Sequence, residues 1–167
     1  MSDRAIRTID DMRAAVLKLP ARTKNTLTAL TTAAGMSSTV ADWALRPEKR
    51  NSITWEPLLQ LLTTAGHELI ARPRGENSDL ANVPIRNIQD LRRLIKSLPL
   101  ITGKTLTALS RQAGISLTVV LWSNRSDRSV TLLPILTLLH EGGYSVFLRK
   151  SPETRRQARI EALKGSA

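Results

Sequence analysis

The sequence predicts a mostly α-helical protein built as two tandem four-helix units, each ending in a short β-strand. Three observations carry this expectation: an internal duplication, apolar residues at helical spacing closed by glycine, and a core that must be aliphatic. Aromatic residues make up 3% of the chain while apolar residues make up 41%. The interior therefore falls to Leu, Ile, Val and Ala, a bias that favours helices over sheets.

The duplication is read directly. Ile6-Arg7-Thr8-Ile9-Asp10-Asp11-Met12-Arg13 returns as Ile85-Arg86-Asn87-Ile88-Gln89-Asp90-Leu91-Arg92, and Leu19-Pro20 as Leu98-Pro99. Thr26-Leu27-Thr28-Ala29-Leu30 returns unchanged as Thr105-Leu106-Thr107-Ala108-Leu109, Ala34-Gly35 as Ala113-Gly114, and Trp43 as Trp122. Over residues 6–43 and 85–122 the offset is 79 and 19 of 38 positions are identical. Beyond the tryptophans it falls to 77: Pro57-Leu58-Leu59 aligns with Pro134-Ile135-Leu136, and Gly66 with Gly143. A length change between copies belongs in a loop, which places loops at Leu45–Ser52 and Ser123–Ser129. The organisation expected is a first unit over 1–71, a linker over 72–84 marked by Pro73, Gly75 and Pro84, a second unit over 85–150, and a basic tail over 151–167 that frays or forms a short helix.

Each element has its own signal. Ile9, Met12, Val16 and Leu19, with Ile88, Leu91, Ile95 and Leu98 in the second copy, fall at helical spacing, and Pro20 and Pro99 are expected to stop that helix. A second helix over Thr26–Ala34 ends at Gly35, which suits a left-handed residue. Ser37 is the expected N-cap of a third helix running to Ala44, with Val40 and Trp43 inward. Thr54–Ala65 reads as a fourth helix closed by Gly66. His67–Ala71 and Tyr144–Leu148 read as strands. A lone strand cannot satisfy its own backbone, so the two strands pair either with each other, as an antiparallel ribbon, or with those of a second chain.

Charge narrows the function classes. The chain carries 25 Lys/Arg against 14 Asp/Glu, a net charge of +11. A basic protein of this size usually meets a polyanion, nucleic acid first and an anionic membrane surface second. Residues 1–80 hold 11 cations and 9 anions, net +2, and residues 81–167 hold 14 and 5, net +9. No cysteine is present, so disulfides and thiolate metal sites are excluded. No apolar run reaches the roughly 20 residues that span a bilayer, and Met1-Ser2-Asp3-Arg4 opens no signal peptide. The compartment expected is a bacterial cytoplasm, at the nucleoid, with no membrane partner.

The segment Thr26-Leu-Thr-Ala-Leu-Thr-Thr-Ala-Ala-Gly35-Met-Ser-Ser-Thr-Val-Ala-Asp-Trp43 is a short helix, an Ala-Gly turn and a second short helix, and it occurs twice. This pattern resembles the lambda-repressor/Cro-like (XRE-type) helix-turn-helix regulators, and the fourth helix plus strand is similar to DNA-binding antitoxins of that group. In that family the inward residues of the recognition helix lie six and nine positions after the turn glycine. Here Val40 and Trp43, and likewise Val119 and Trp122, lie five and eight after it. Either the turn is one residue shorter, or Ala41 and Val120 point inward.

The resemblance implies that the N-terminal part of the recognition helix reaches base edges. The residues so placed are Ser37, Ser38, Thr39 and Asp42, and in the second copy Ser116, Leu117, Thr118 and Leu121. Phosphate contacts are implied for Lys24 and Asn25 with Thr23 and Thr26, and for Lys104 and Thr105 with Thr102, at the start of the second helix. Arg46, Lys49 and Arg50, and Asn124, Arg125 and Arg128, belong to the loops that follow. Asp42 suits a cytosine amine and Leu121 a thymine methyl, so the copies are expected to read different sequences.

Catalysis is not expected. His67 and His140 are not repeat equivalents, there is no Gly-rich phosphate loop, and no metal-ligand spacing appears; no cofactor is expected either. Each His is expected at the end of a fourth helix, where a cation favours the dipole. The expectation is a transcriptional regulator of double-stranded DNA. The alternative is an antitoxin- or antiactivator-like protein in which one unit holds a protein partner or a second copy.

Overall fold

The computed structural model describes residues 4–37, 39–48, 52–125 and 129–166, with the side chain of Asn77 also left aside. The described chain is mostly helical, with a small three-stranded antiparallel sheet. The first copy contains α1 (Ile9–Leu17), α2 (Leu19–Thr23), α3 (Leu27–Ala33), α4 (Thr39–Leu45), α5 (Trp55–Thr64) and β1 (His67–Pro73). A 3-10 turn (Gly75–Asn77) and β2 (Val83–Ile85) follow. The second copy contains α6 (Ile88–Thr102), α7 (Leu106–Gln112), α8 (Thr118–Asn124), α9 (Leu132–Glu141) and β3 (Tyr144–Lys150), and α10 (Pro152–Gly165) closes the chain.

Local chemistry sets the boundaries. Thr8 caps α1 in a reciprocal capping box: its hydroxyl accepts from the Asp11 N–H at 3.1 Å, and the Asp11 carboxylate accepts from the Thr8 N–H at 3.1 Å. Asn87 caps α6, accepting from the Asp90 N–H at 2.9 Å. α1 ends at Leu17, ahead of Pro20, as expected, but Pro20 itself sits in the first turn of a further helix, α2, where its missing N–H is not needed, so the described first copy has five helical segments rather than four. Pro99 lies inside α6, which runs on to Thr102; the fully buried Leu98 anchors the segment despite the bond lost at proline. The stop is Gly103, left-handed at φ 68°, and its repeat counterpart Lys24 adopts the same conformation at φ 59°.

The remaining boundaries refine the sequence reading. α4 and α8 begin at Thr39 and Thr118, with Leu117 at the cap position of α8. Of the two alternatives expected for the tail, the helix forms: Ser151 caps α10 through the Thr154 N–H at 3.2 Å. The linker supplies β2, which pairs with β1 as Leu69↔Ile85, Ile70↔Pro84 and Ala71↔Val83. β2 lies at the sheet edge, the position that tolerates proline.

The expected ribbon forms within the chain. β1 and β3 pair from His67↔Lys150 to Pro73↔Tyr144, centred on Ile70↔Phe147, which are repeat equivalents. A second antiparallel bridge joins Thr54 to Thr131, again equivalents, with Trp55 N–H donating to Val130 O at 3.2 Å and Leu132 N–H to Ile53 O at 2.9 Å. Outside β3, Ile6 bridges Val146, which mirrors the Ile85↔Leu69 pair on the other side of the sheet. The copies thus meet about a pseudo-twofold axis. One continuous core spans both, and Trp43, Trp55 and Trp122 are among its largest fully buried side chains.

Candidate nucleic-acid interface

The two turns are built alike. Gly35 and Gly114 both stand at φ 67°. Gly35 N–H donates to Thr32 O at 3.0 Å and Met36 N–H to Thr31 O at 3.1 Å; Gly114 N–H donates to Arg111 O at 3.1 Å and Ile115 N–H to Ser110 O at 3.0 Å. A left-handed residue lets the chain reverse while the last helical carbonyls keep partners. The preceding helices start the same way: Thr26 and Thr105 cap α3 and α7, each hydroxyl accepting from a backbone N–H three residues on at 3.1 Å.

Beyond the turn, burial decides which side chains face out. Val40, Ala41, Trp43 and Ala44 are buried in α4, as are Val119, Trp122 and Ser123 in α8, while Val120 is half-buried. Val and Trp are therefore inward in both copies, with Ala41 alongside them in the first. Ser37, Ser116 and Thr118 are exposed, and Thr39 and Asp42 are half-buried. Ser37 and Thr39 share a hydroxyl hydrogen bond of 2.7 Å, matched by Ser116 and Thr118 at 2.8 Å. Leu117 is 43% exposed and Leu121 48%, one helical turn apart. Their counterparts by sequence are Ser38 and Asp42.

Around this surface lie Lys24, Asn25, Arg46, Lys104, Thr105, Asn124 and Arg125, all exposed. Lys104 Nζ donates to Gln112 Oε1 at 2.8 Å, and Asn124 Nδ2 to Val120 O at 3.3 Å. Ser38, Lys49, Arg50 and Arg128, expected at the same surface, lie outside the described residues.

Sequence reasoning missed what holds the two exposed helices in place. Arg13 of α1 is buried, stacks 5.2 Å from the Trp43 ring and donates Nε to Trp43 O at 3.2 Å. Its counterpart Arg92 of α6 is buried, stacks 5.0 Å from Trp122 and donates Nη2 to Arg125 O at 2.8 Å. A guanidinium at these carbonyls answers the negative end of α4 and α8 while its plane packs on indole. The signal was present: both arginines survive the duplication, next to the core positions Met12 and Leu91.

A second missed feature is the join of the copies. Glu68 of β1, its side chain 1% exposed, accepts from Arg86 Nε at 2.6 Å and from Arg149 Nε at 2.7 Å. The repeat counterpart of Glu68 is Ser145, and that of Arg149 is Arg72, which stacks on Phe147 at 4.4 Å.

Of the two histidines, only His140 stands at a helix end. His67 lies in β1, buried, with Nδ1 2.8 Å from Ala65 O, and burial lowers its pKa from the ordinary value. His140, in the last turn of α9, is also lowered, first by burial and then by Arg74 and Arg7. Among the described residues no group of three or more His, Cys, Asp or Glu could hold a metal ion, and no helix is long and apolar enough to cross a membrane. Compared with known proteins, the chain matches no family model, no curated protein and no solved structure.

Proposed function

We propose that this chain is a sequence-specific double-stranded DNA-binding transcriptional regulator of the XRE-type helix-turn-helix kind, acting at the nucleoid, in which α3–α4 and α7–α8 are two tandem reading units. The observation that carries this reading is the pair of matching turns at Gly35 and Gly114, each followed by a short helix that buries Val and Trp, with Ser and Thr shared at its start and Asp42 or Leu121 differing one turn on. Exposed Arg46 and Arg125 stand just beyond those helices. A helix held this way suits the major groove, and two units related by a dyad suit half-sites about 34 Å apart.

The test is duplex binding measured against salt. Phosphate contacts release counterions, so affinity falls steeply with ionic strength. Replacing Arg125 and Arg128 by Ala should weaken binding on all duplexes and lower the salt slope by about 2. An unchanged slope contradicts the assigned surface.

Leu117 and Leu121 support a second reading. Two leucines exposed one turn apart suit an apolar partner as well as thymine methyls. In that reading the second copy holds a protein, as an antitoxin or antiactivator would, and the first binds DNA. Replacing Leu121 by Ser separates the two: loss of discrimination at one base supports DNA, and DNA binding unchanged at every position supports a protein.

A further inference from the structure

A cleft of about 530 Å³ lies where the copies meet, between α5 and the start of α6. Leu59, Ile88 and Val130 give it apolar walls, and its charged lining is Glu56, Arg86 and Arg92, with Gln89 beside them. The volume is that of a small-molecule site.

The duplication provides an internal control for the charge in this cleft. Arg13, the counterpart of Arg92 in the first copy, has a carboxylate at hand: its Nη1 lies 3.2 Å from Asp10 Oδ1. In the second copy Asp10 is replaced by Gln89, and among the described residues no carboxylate lies within ion-pair distance of Arg92. Arg92 is nonetheless only 9% exposed, and its buried Nε has no hydrogen-bond partner. A buried guanidinium donor left unmatched is costly, and a carboxylate is the group whose geometry matches it best. Glu68 does not compensate, because Arg86 and Arg149 occupy both its oxygens.

We propose that this cleft binds a small organic carboxylate, its charged group on Arg92 where Asp10 stands in the first copy, and its apolar body against Leu59, Ile88 and Val130. The ligand would touch both copies and so bear on the angle between them. This inference stands whether or not the chain binds DNA.

The test uses the full chain with benzoate and hexanoate as probes, benzamide as the uncharged control and inorganic phosphate as the competing anion. Binding is followed by tryptophan fluorescence, since Trp55 and Trp122 line the cleft, and by amide shifts of Ile88 and Leu59. The expected result is saturable binding of at least one carboxylate, one per chain, with benzamide at least about tenfold weaker. Gln89→Asp supplies the missing carboxylate and should weaken carboxylate binding at least about tenfold without lowering the melting temperature. Gln89→Asn, which stays neutral, should leave it intact and keeps the test decisive if the Asp variant folds poorly. The proposal is overturned if neither carboxylate saturates the signal, if benzamide binds as well as benzoate, if phosphate alone binds, or if Gln89→Asp leaves the affinity unchanged.

Discussion

The two copies are best understood side by side. Inside they agree: Leu30 and Leu109, Val40 and Val119, Trp43 and Trp122 are buried at equivalent places, and Gly35 and Gly114 turn identically. Outside and at the join they differ. Asp42 of α4 is Leu121 in α8; Arg13 pairs with Asp10, whose counterpart is Gln89; and Glu68, which accepts from Arg86 and Arg149, is Ser145 in the second copy, where Arg72 stacks on Phe147 instead. After a duplication the packed interior is constrained by volume, since cores tolerate few changes of shape, whereas surface and junction are free to diverge. The difference teaches that the scaffold is shared while the exposed faces and the join are not.

The largest expected effect breaks the comparison at the join. Glu68→Ala leaves Arg86 and Arg149 without their shared carboxylate and should cost about 1.5–3 kcal/mol in denaturant unfolding, because both arginines remain partly exposed to water. The mirror change, Ser145→Ala, removes no charge and should cost under about 1 kcal/mol. Equal losses would mean that the asymmetry at the join has no energetic content.

A smaller effect is expected at the reading surface. Leu121→Asp gives the second copy the charge of the first, and it should weaken duplex binding about tenfold while leaving the fold intact, because Leu121 is 48% exposed. Binding assays at fixed salt check it; unchanged affinity would remove α8 from the interface.

Next is the capping box of α1. Burial acts to raise the Asp11 pKa, but hydrogen bonds from the Arg7 N–H, the Thr8 hydroxyl and the Thr8 N–H, with the Arg4 charge, outweigh it and hold it below the ordinary carboxylate value of 3.8. A lowered folded pKa means that this stabilisation is complete above the ordinary value and is lost as pH falls through the folded one. Asp11→Asn should therefore cost about 1 kcal/mol at neutral pH and less in acid. A cost that does not shrink in acid would assign the effect to packing.

The smallest is at Lys24, the only non-glycine residue with positive φ among those described. Lys24→Gly copies Gly103 and relieves left-handed strain, partly offset by the entropy of glycine. A gain of about 0.5 kcal/mol in thermal unfolding is expected.

Much of the fold was legible in the sequence, for identifiable reasons. Repeated Leu, Trp and Gly positions placed the helices, and the need of a lone strand for a partner anticipated the β1–β3 ribbon. β2 escaped notice because Val83-Pro84-Ile85 is short and contains proline, and its mirror is the single bridge at Ile6. Pro99 misled because a proline signal does not reveal when it is overridden by the burial of a neighbour such as Leu98, and α2 was not legible because Pro20 falls in its first turn. The exposed positions of α4 and α8 followed once burial fixed Val40 and Trp43 as inward. Arg13, Arg92 and Glu68 were not legible as partners. Their meaning depends on tertiary neighbours, and a charged residue read in sequence is usually assigned to solvent.

The central claim is that like scaffolds carry unlike readouts on one DNA. Its most direct test is selection of bound duplexes from a random pool, run on the native chain and on Asp42→Leu. The account predicts two unlike half-sites about one helical turn, roughly 34 Å, apart in the native selection, and a change confined to one half in the variant. Two identical half-sites, no recovered motif, or a motif unaltered by Asp42→Leu would contradict it.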